Sequence, residues 1–243
     1  FGCLPSGVRV LDLGCGTGQL VSLPLARLGF SVVGVDADQR SLDTGWQEAH
    51  RLQLRNVSFH CAEIDKYLTH TQLGFAAIIC SEVLEHVPDP QPILVRCREL
   101  LEPYGRLLIT VPNGLGPFEL EMALFHLLEK IGVWQPLQRL KRKWRGDRHP
   151  EEANSPKDTL ATNSPHLQRF RLSRVCVMLR EAGFVPTEIS NRTFLCGPFS
   201  QQVAELTKAL GIQSWFLNCN ARLADLLPHF AVSDWMIAAQ PDR

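Results

Sequence analysis

The stretch VLDLGCGTGQL, residues 10–20, decides how the chain is read. Val10, Leu11 and Leu13 make a short apolar run that carries one carboxylate, Asp12, and it leads straight into Gly14, Gly16 and Gly18 ahead of a segment with helical spacing at 19–28. Glycines at that density let the backbone approach a ligand closely, and the start of a helix offers unpaired N–H groups. This is the local chemistry of a nucleotide-type cofactor loop. Spacing then narrows the ligand. A dinucleotide fingerprint needs G-x-G-x-x-G, but position 19 is Gln19 and the third glycine comes one residue early. Asp12 argues the same way, because a carboxylate at the mouth of the loop would repel a pyrophosphate and suit a cationic amino-acid group.

Outward from this loop, β-branched and aliphatic runs alternate with amphipathic ones. Strands are expected at 8–13, Ser31–Asp36, Val57–Cys61, 75–80 and 105–111, each bounded by Gly, Pro, Asn or Asp, with helical spacing at 19–28, 40–54 and 92–101. The near-continuous apolar runs VVGV and FAAIIC suit strands covered on both faces. Alternation resumes with a helix at 172–182, a strand at 184–190, helices at 201–210 and 215–227, and a strand at 231–239. The fold class expected is therefore α/β: a doubly wound, mostly parallel, seven-stranded Rossmann-like sheet with an insertion after the fifth strand. Three regions follow from this pattern: a cofactor-binding core at 1–113, an insertion at 114–165 and the remainder of the sheet with C-terminal helices at 166–243.

Composition limits the partners. Lys plus Arg and Asp plus Glu both number 25, so no global field draws the chain to nucleic acid or an anionic membrane, and any polyanion contact must be local. A local patch exists in the insertion, where FELEMALFHLLEKI at 118–131 precedes the basic run RLKRKWRGDRH at 139–149. Basic residues interleaved with Trp134 and Trp144 suit lipid headgroups or RNA phosphates, which makes a lid with a basic rim and peripheral membrane contact one expectation. A solvated helix face whose Trp residues pack inward is the other. The eight cysteines show no C-x-x-C and several sit in apolar runs, as buried thiols do in a reducing compartment, so a cytoplasmic protein without a disulfide framework is expected. Phe1 stands where a Met would start a chain and the first strand begins almost at once, so a further N-terminal segment is expected too.

The fourth strand ends in CSEVLEHVPDP, residues 80–90. Glu82, Glu85 and His86 stand at i, i+3 and i+4, so one helical turn would put two carboxylates and an imidazole on one face at the carboxyl end of the sheet, where open α/β folds bind ligands. Such a set suits a hard divalent ion. Without an ion, a His at this mouth is a candidate base.

Taken together, D-x-G-x-G-x-G at 12–18 and GVDAD at 34–38 resemble the class I S-adenosylmethionine-dependent methyltransferases, and E-V-L-E-H-V-P-D-P resembles their ubiquinone-pathway O-methyltransferase group. The resemblance covers residues 8–113 well and the rest loosely. It implies S-adenosyl-L-methionine as cofactor, held by Asp12, Gly14, Cys15, Gly16, Gly18, Asp36, Ala37, Ala62, Glu63 and Ser81, with Asp36 on the ribose hydroxyls. Cys61 stands where the family often has the Asp that meets adenine, and Glu63 is the candidate replacement. E-x-x-E-H is also similar to the metal-binding element of small-RNA 3′-terminal 2′-O-methyltransferases, which implies a magnesium-like ion on Glu82, Glu85, His86 and a distal His166. The catalytic set expected is His86, Glu82, Glu85 and His166, O-methylating a small or amphipathic hydroxyl-bearing acceptor, a lipid-like one among the options. Two alternatives stay open: methylation of RNA ends, and a non-catalytic adenosylmethionine-binding partner protein.

Overall fold

The computed structural model describes residues 7–132, 167–197 and 211–242, with 200, 203, 204, 207 and 208 between them. In order, the elements are β1 (Arg9–Leu13), α1 (Ser22–Arg27), β2 (Ser31–Asp36), α2 (Gln39–Arg51), β3 (Val57–Cys61), α3 (Ile64–His70), β4 (Phe75–Ser81), a 3-10 turn (Leu84–His86), α4 (Gln91–Leu100) and β5 (Leu101–Pro112). After them come α5 (Pro117–Lys130), α6 (Leu172–Glu181), β6 (Phe184–Thr193), α7 (Gln213–Leu226) and β7 (Asp234–Pro241). The seven strands form one sheet in the order β3-β2-β1-β4-β5-β7-β6. Pairs β1/β2, β1/β4, β2/β3 and β4/β5 are parallel. Against β6, β7 runs antiparallel: Ser233 N–H donates to the Thr193 carbonyl, Thr187 Oγ1 to the Ala238 carbonyl and Asp242 N–H to the Gly183 carbonyl, so one strand's numbers rise as the other's fall. This is the mostly parallel, doubly wound sheet that the alternation predicts.

Burial explains the continuous apolar runs. Every residue of β4 from Phe75 to Cys80 is buried, as are Val10 to Leu13 in β1, because helices cover both sheet faces. Phe75, Leu11, Leu13, Ile78, Leu107 and Ile109 are fully buried, each contributing roughly 1.5–3 kcal/mol of transfer free energy. Chain order reverses on either side of β1, so the carboxyl ends of β1 and β4 flank the topological switch point.

Local differences have local causes. The helix expected from 19 starts at Ser22, because residues up to Val21 remain in the glycine turn. The strand expected from 105 starts at Leu101, which pairs with Phe75 before a register shift. Helix α3 was not legible in the sequence; its short segment buries only Leu68. The chain divides into two compact units. The first holds residues up to Pro112, 167–190 and 235–242; the second holds 113–132 and described residues of 191–234. The insertion's first helix thus shares a unit with the C-terminal helix α7, where sequence reading separates them. The basic run at 139–149, the linker to Pro165 and His166 lie outside the described residues. Of the helix expected at 201–210, only 203, 204, 207 and 208 are described. No helix among the described residues is long and apolar enough to cross a membrane.

Candidate active site

Four strands deliver their ends to one edge of the sheet. Beyond β1, Gly14, Gly16 and Gly18 all take positive φ, at 68°, 53° and 70°, a region that side-chain-bearing residues enter only with strain. Gly14 and Cys15 donate their N–H groups to the Val35 carbonyl at 2.8 and 3.0 Å, and Gly18 N–H closes the turn on the Cys15 carbonyl. The loop is tied across to β2 by Gly16 N–H, which donates to Asp36 Oδ2 at 2.7 Å, while Asp38 N–H donates to Asp36 Oδ1 at 2.9 Å. Each Asp36 oxygen keeps a lone pair, so the carboxylate is oriented by the backbone and still able to accept from a ligand. A diol is a fitting partner for two such oxygens.

Asp12 differs from expectation. Sequence reading puts its carboxylate at the mouth of the loop, but the side chain is 2% exposed and accepts from Ser22 Oγ at 2.5 Å. Burial raises it from the ordinary aspartate range to about 7, against the pull of the Ser22 hydrogen bond. It joins the loop to the first residue of α1, and a cation arriving nearby would favour its charged form. Cys15 packs its sulfur against Gly34, and burial raises its thiol far above the usual range, so it is a space-filling residue and no nucleophile.

At the end of β3, Ala62 N–H donates to the Asp36 carbonyl at 3.0 Å, which sets Ala62 beside the exposed Ala37. Exposed Cys61 directs its sulfur to the Ala37 carbonyl at 3.6 Å. Glu63 is exposed and stands at the start of α3 without a side-chain capping bond, following Ala62 at the same edge.

The mouth after β4 departs most from the helical reading. The 3-10 turn covers only Leu84–His86, and Glu82 lies before it at φ +54°, so the three ionisable groups do not share one helical face. Glu82 is turned toward β5, where Thr110 Oγ1 donates to Glu82 Oε1 at 2.8 Å and accepts from Glu82 N–H at 3.1 Å. Ser81 Oγ meets the same hydroxyl at 2.8 Å. Glu85 points inward and is 0% exposed; neither carboxylate oxygen finds a hydrogen-bond partner among the described residues. Burial and then the charge of Glu82 raise it to about 8, so it is predominantly a neutral acid at pH 7. His86 Nε2 lies 3.9 Å from Glu85 Oε1, with the imidazole 17% exposed. Among the described residues no group of three or more His, Cys, Asp or Glu could hold a metal ion. The expected ligand set of Glu82, Glu85 and His86 does not assemble among the described residues: Thr110 holds Glu82 toward β5 and Glu85 is buried, while the fourth ligand, His166, lies outside them.

Thr110 and Ser22 escaped sequence reading. The available signal was a single hydroxyl inside the apolar run LLITV and a serine on a buried helix face, 0% exposed. Loop and mouth also touch, since a Cβ at Gly14 would strike Val83 of the E-V-L-E-H segment.

Comparison with known proteins supplies the family. The family described as "Methyltransferase domain" matches residues 4–153. A ubiquinone biosynthesis O-methyltransferase of Coxiella burnetii is 41% identical over 107 residues, 44% of this chain and 44% of that protein. The chain therefore spans less than half the length of the curated relatives it matches. Among solved structures, Haemonchus contortus phosphoethanolamine N-methyltransferase 2 in complex with S-adenosyl-L-methionine superposes with TM-score 0.61 at 16% identity, covering 100% of this chain and 50% of that one. The [4+2]-cyclase SpnF superposes with TM-score 0.60 at 19% identity, covering 98% and 76%. Likeness at that identity speaks for the fold alone, and these two proteins are named for different reactions.

Proposed function

Because the chain belongs to the methyltransferase-domain family, we propose that it moves the methyl group of S-adenosyl-L-methionine to a hydroxyl oxygen of a small, amphipathic acceptor. One observation carries the cofactor assignment: the Gly14–Gly18 loop closes on Asp36 through Gly16 N–H, leaving an oriented carboxylate with free lone pairs beside the carboxyl end of β1. Asp36 is assigned to the ribose hydroxyls, the glycine-loop backbone with Asp12 buried beneath it to the amino-acid end, and Ala62 and Glu63 to the edge of the base. When bound, the cofactor would supply a sulfonium-activated methyl group. The protein's part is alignment and exclusion of water, with the acceptor brought to the mouth at Ser81–His86. His86 is the group assigned to hold the acceptor's proton, with the Glu85 carboxyl 3.9 Å from its Nε2. What supports oxygen as the receiving atom is the likeness to the ubiquinone biosynthesis O-methyltransferases.

No step is routed through a divalent cation, because the described residues do not assemble a site for one. The test is methyl transfer from labelled cofactor to catechol-type acceptors with and without an apolar tail, to RNA oligonucleotides, and in excess chelator. Turnover of a tailed catechol that is unchanged by chelator is expected. Preference for RNA ends, or tight cofactor binding with no turnover of any acceptor, would replace this reading with one of its alternatives. Loss of turnover in chelator would return the cation, with a ligand from outside the described residues.

A further inference from the structure

Three glycines far apart in sequence lack a side chain for one reason. A Cβ at Gly18 in the cofactor loop would lie 2.7 Å from Phe59 Cζ, one at Gly34 in β2 would lie 2.7 Å from Phe59 Cδ1, and one at Gly45 in α2 would lie 3.1 Å from Phe59 Cζ. The β3 ring occupies the space that these three positions leave open. From the other side, a Cβ at Gly45 would lie 2.8 Å from the Thr17 carbonyl oxygen, so the loop backbone rests directly on α2. Trp46 closes the outer edge, meeting Phe59 edge-on at a centroid distance of 5.5 Å, and Phe59 itself is only 7% exposed.

We propose that Phe59 is a positioning residue for the cofactor: its ring, seated on Gly18, Gly34 and Gly45, clamps the glycine loop between β2 and α2 and holds it in its ligand-ready shape. The consequence for affinity rests on the cofactor assignment above, whereas the clamp itself does not. The physical basis is close packing. An interior at crystal-like density leaves no room for the loop to shift while the ring is present, and frees the loop when the ring is cut back. Gly18, held at φ 70° by that packing, donates to Cys15 and accepts from Leu23, so loosening one contact releases a turn and the entry to α1 together.

Three substitutions test this with opposite intrinsic effects. Phe59→Leu removes the ring edge. Phe59→Tyr keeps the ring but drives a hydroxyl from Cζ toward Gly18 and Gly45, so the chemically closer replacement should do more harm. Gly45→Ala improves helix propensity while pressing a methyl on the Thr17 carbonyl. Leu94→Ala, in the buried face of α4, serves as the control for general destabilisation. Affinity for S-adenosylhomocysteine is measured by calorimetry below each variant's melting transition, and hydrogen exchange of the 14–23 segment is followed without ligand. Phe59→Leu and Gly45→Ala should each weaken binding about tenfold, and Phe59→Tyr more, with faster exchange in that segment; Leu94→Ala should stay within about twofold. Wild-type affinity and unchanged loop exchange in folded Phe59→Leu and Gly45→Ala would overturn the proposal. A wild-type protein that does not bind S-adenosylhomocysteine would defeat the cofactor assignment, and the exchange measurement would still judge the clamp.

Discussion

Replacing Glu85 by Gln should change how stability depends on pH in a way that can be worked out from the mouth. The side chain is fully buried, its oxygens lack hydrogen-bond partners among the described residues, and burial followed by the Glu82 charge lifts its pKa from 4.5 to about 8. Between those values the folded protein binds more protons at this site than the unfolded chain, so the site's contribution to stability falls as pH rises. Linkage puts the cost at roughly 1 kcal/mol at pH 5 and about 4 kcal/mol at pH 8, a loss of about 3 kcal/mol across that window. Gln keeps the shape without ionising. Its amide must bury donors, a penalty of about 1–3 kcal/mol that is nearly independent of pH. Urea unfolding of both proteins at pH 5, 6, 7 and 8 should therefore show the variant weaker or level at pH 5 and gaining on the wild type at each step. A stability difference that stays flat from pH 5 to 8 would refute the buried, neutral Glu85.

Asp36→Ala should weaken binding of S-adenosylmethionine and S-adenosylhomocysteine by about 1.5–3 kcal/mol, the range for hydrogen bonds to a charged group, while NAD should not bind either form; calorimetry reads both, and unchanged affinity would remove Asp36 from the site. Gly14→Ala should lower the melting temperature and cofactor affinity together, because φ 68° strains any side chain by about 1–3 kcal/mol and the new methyl would meet Val83. Thr110→Val should release Glu82 and Ser81 at once and reduce turnover more than cofactor affinity; equal loss in both would place Thr110 in packing alone. Charge reversal at Lys141, Arg142 and Lys143, which lie outside the described residues, should reduce sedimentation with anionic vesicles at low salt, and an intact protein that never sediments would favour the solvated-face reading of the basic run.

Alternation of buried runs with helical spacing determined the parallel sheet without any knowledge of contacts, because strands covered on both faces must be apolar throughout and only helical crossovers can join them in parallel. The cofactor loop was equally local: Gly14, Gly16 and Gly18 are required by backbone conformations within five residues, and Asp36 follows from its place at the next strand's end. What needed the tertiary structure was every property set by a partner remote in sequence. Asp12 is raised to about 7 by burial under the folded chain, with the hydrogen bond from Ser22 of α1 pulling the other way, and Glu82 leaves the expected face because Thr110, 28 residues away, captures its carboxylate. Spacing in E-x-x-E-H describes an ideal helix, whereas the chain turns in 3-10 geometry after a left-handed Glu82, so three groups at the right intervals point in different directions. Phe59 carries no chemical signal at all, and its importance lies in three glycines from three different elements that pack against one ring.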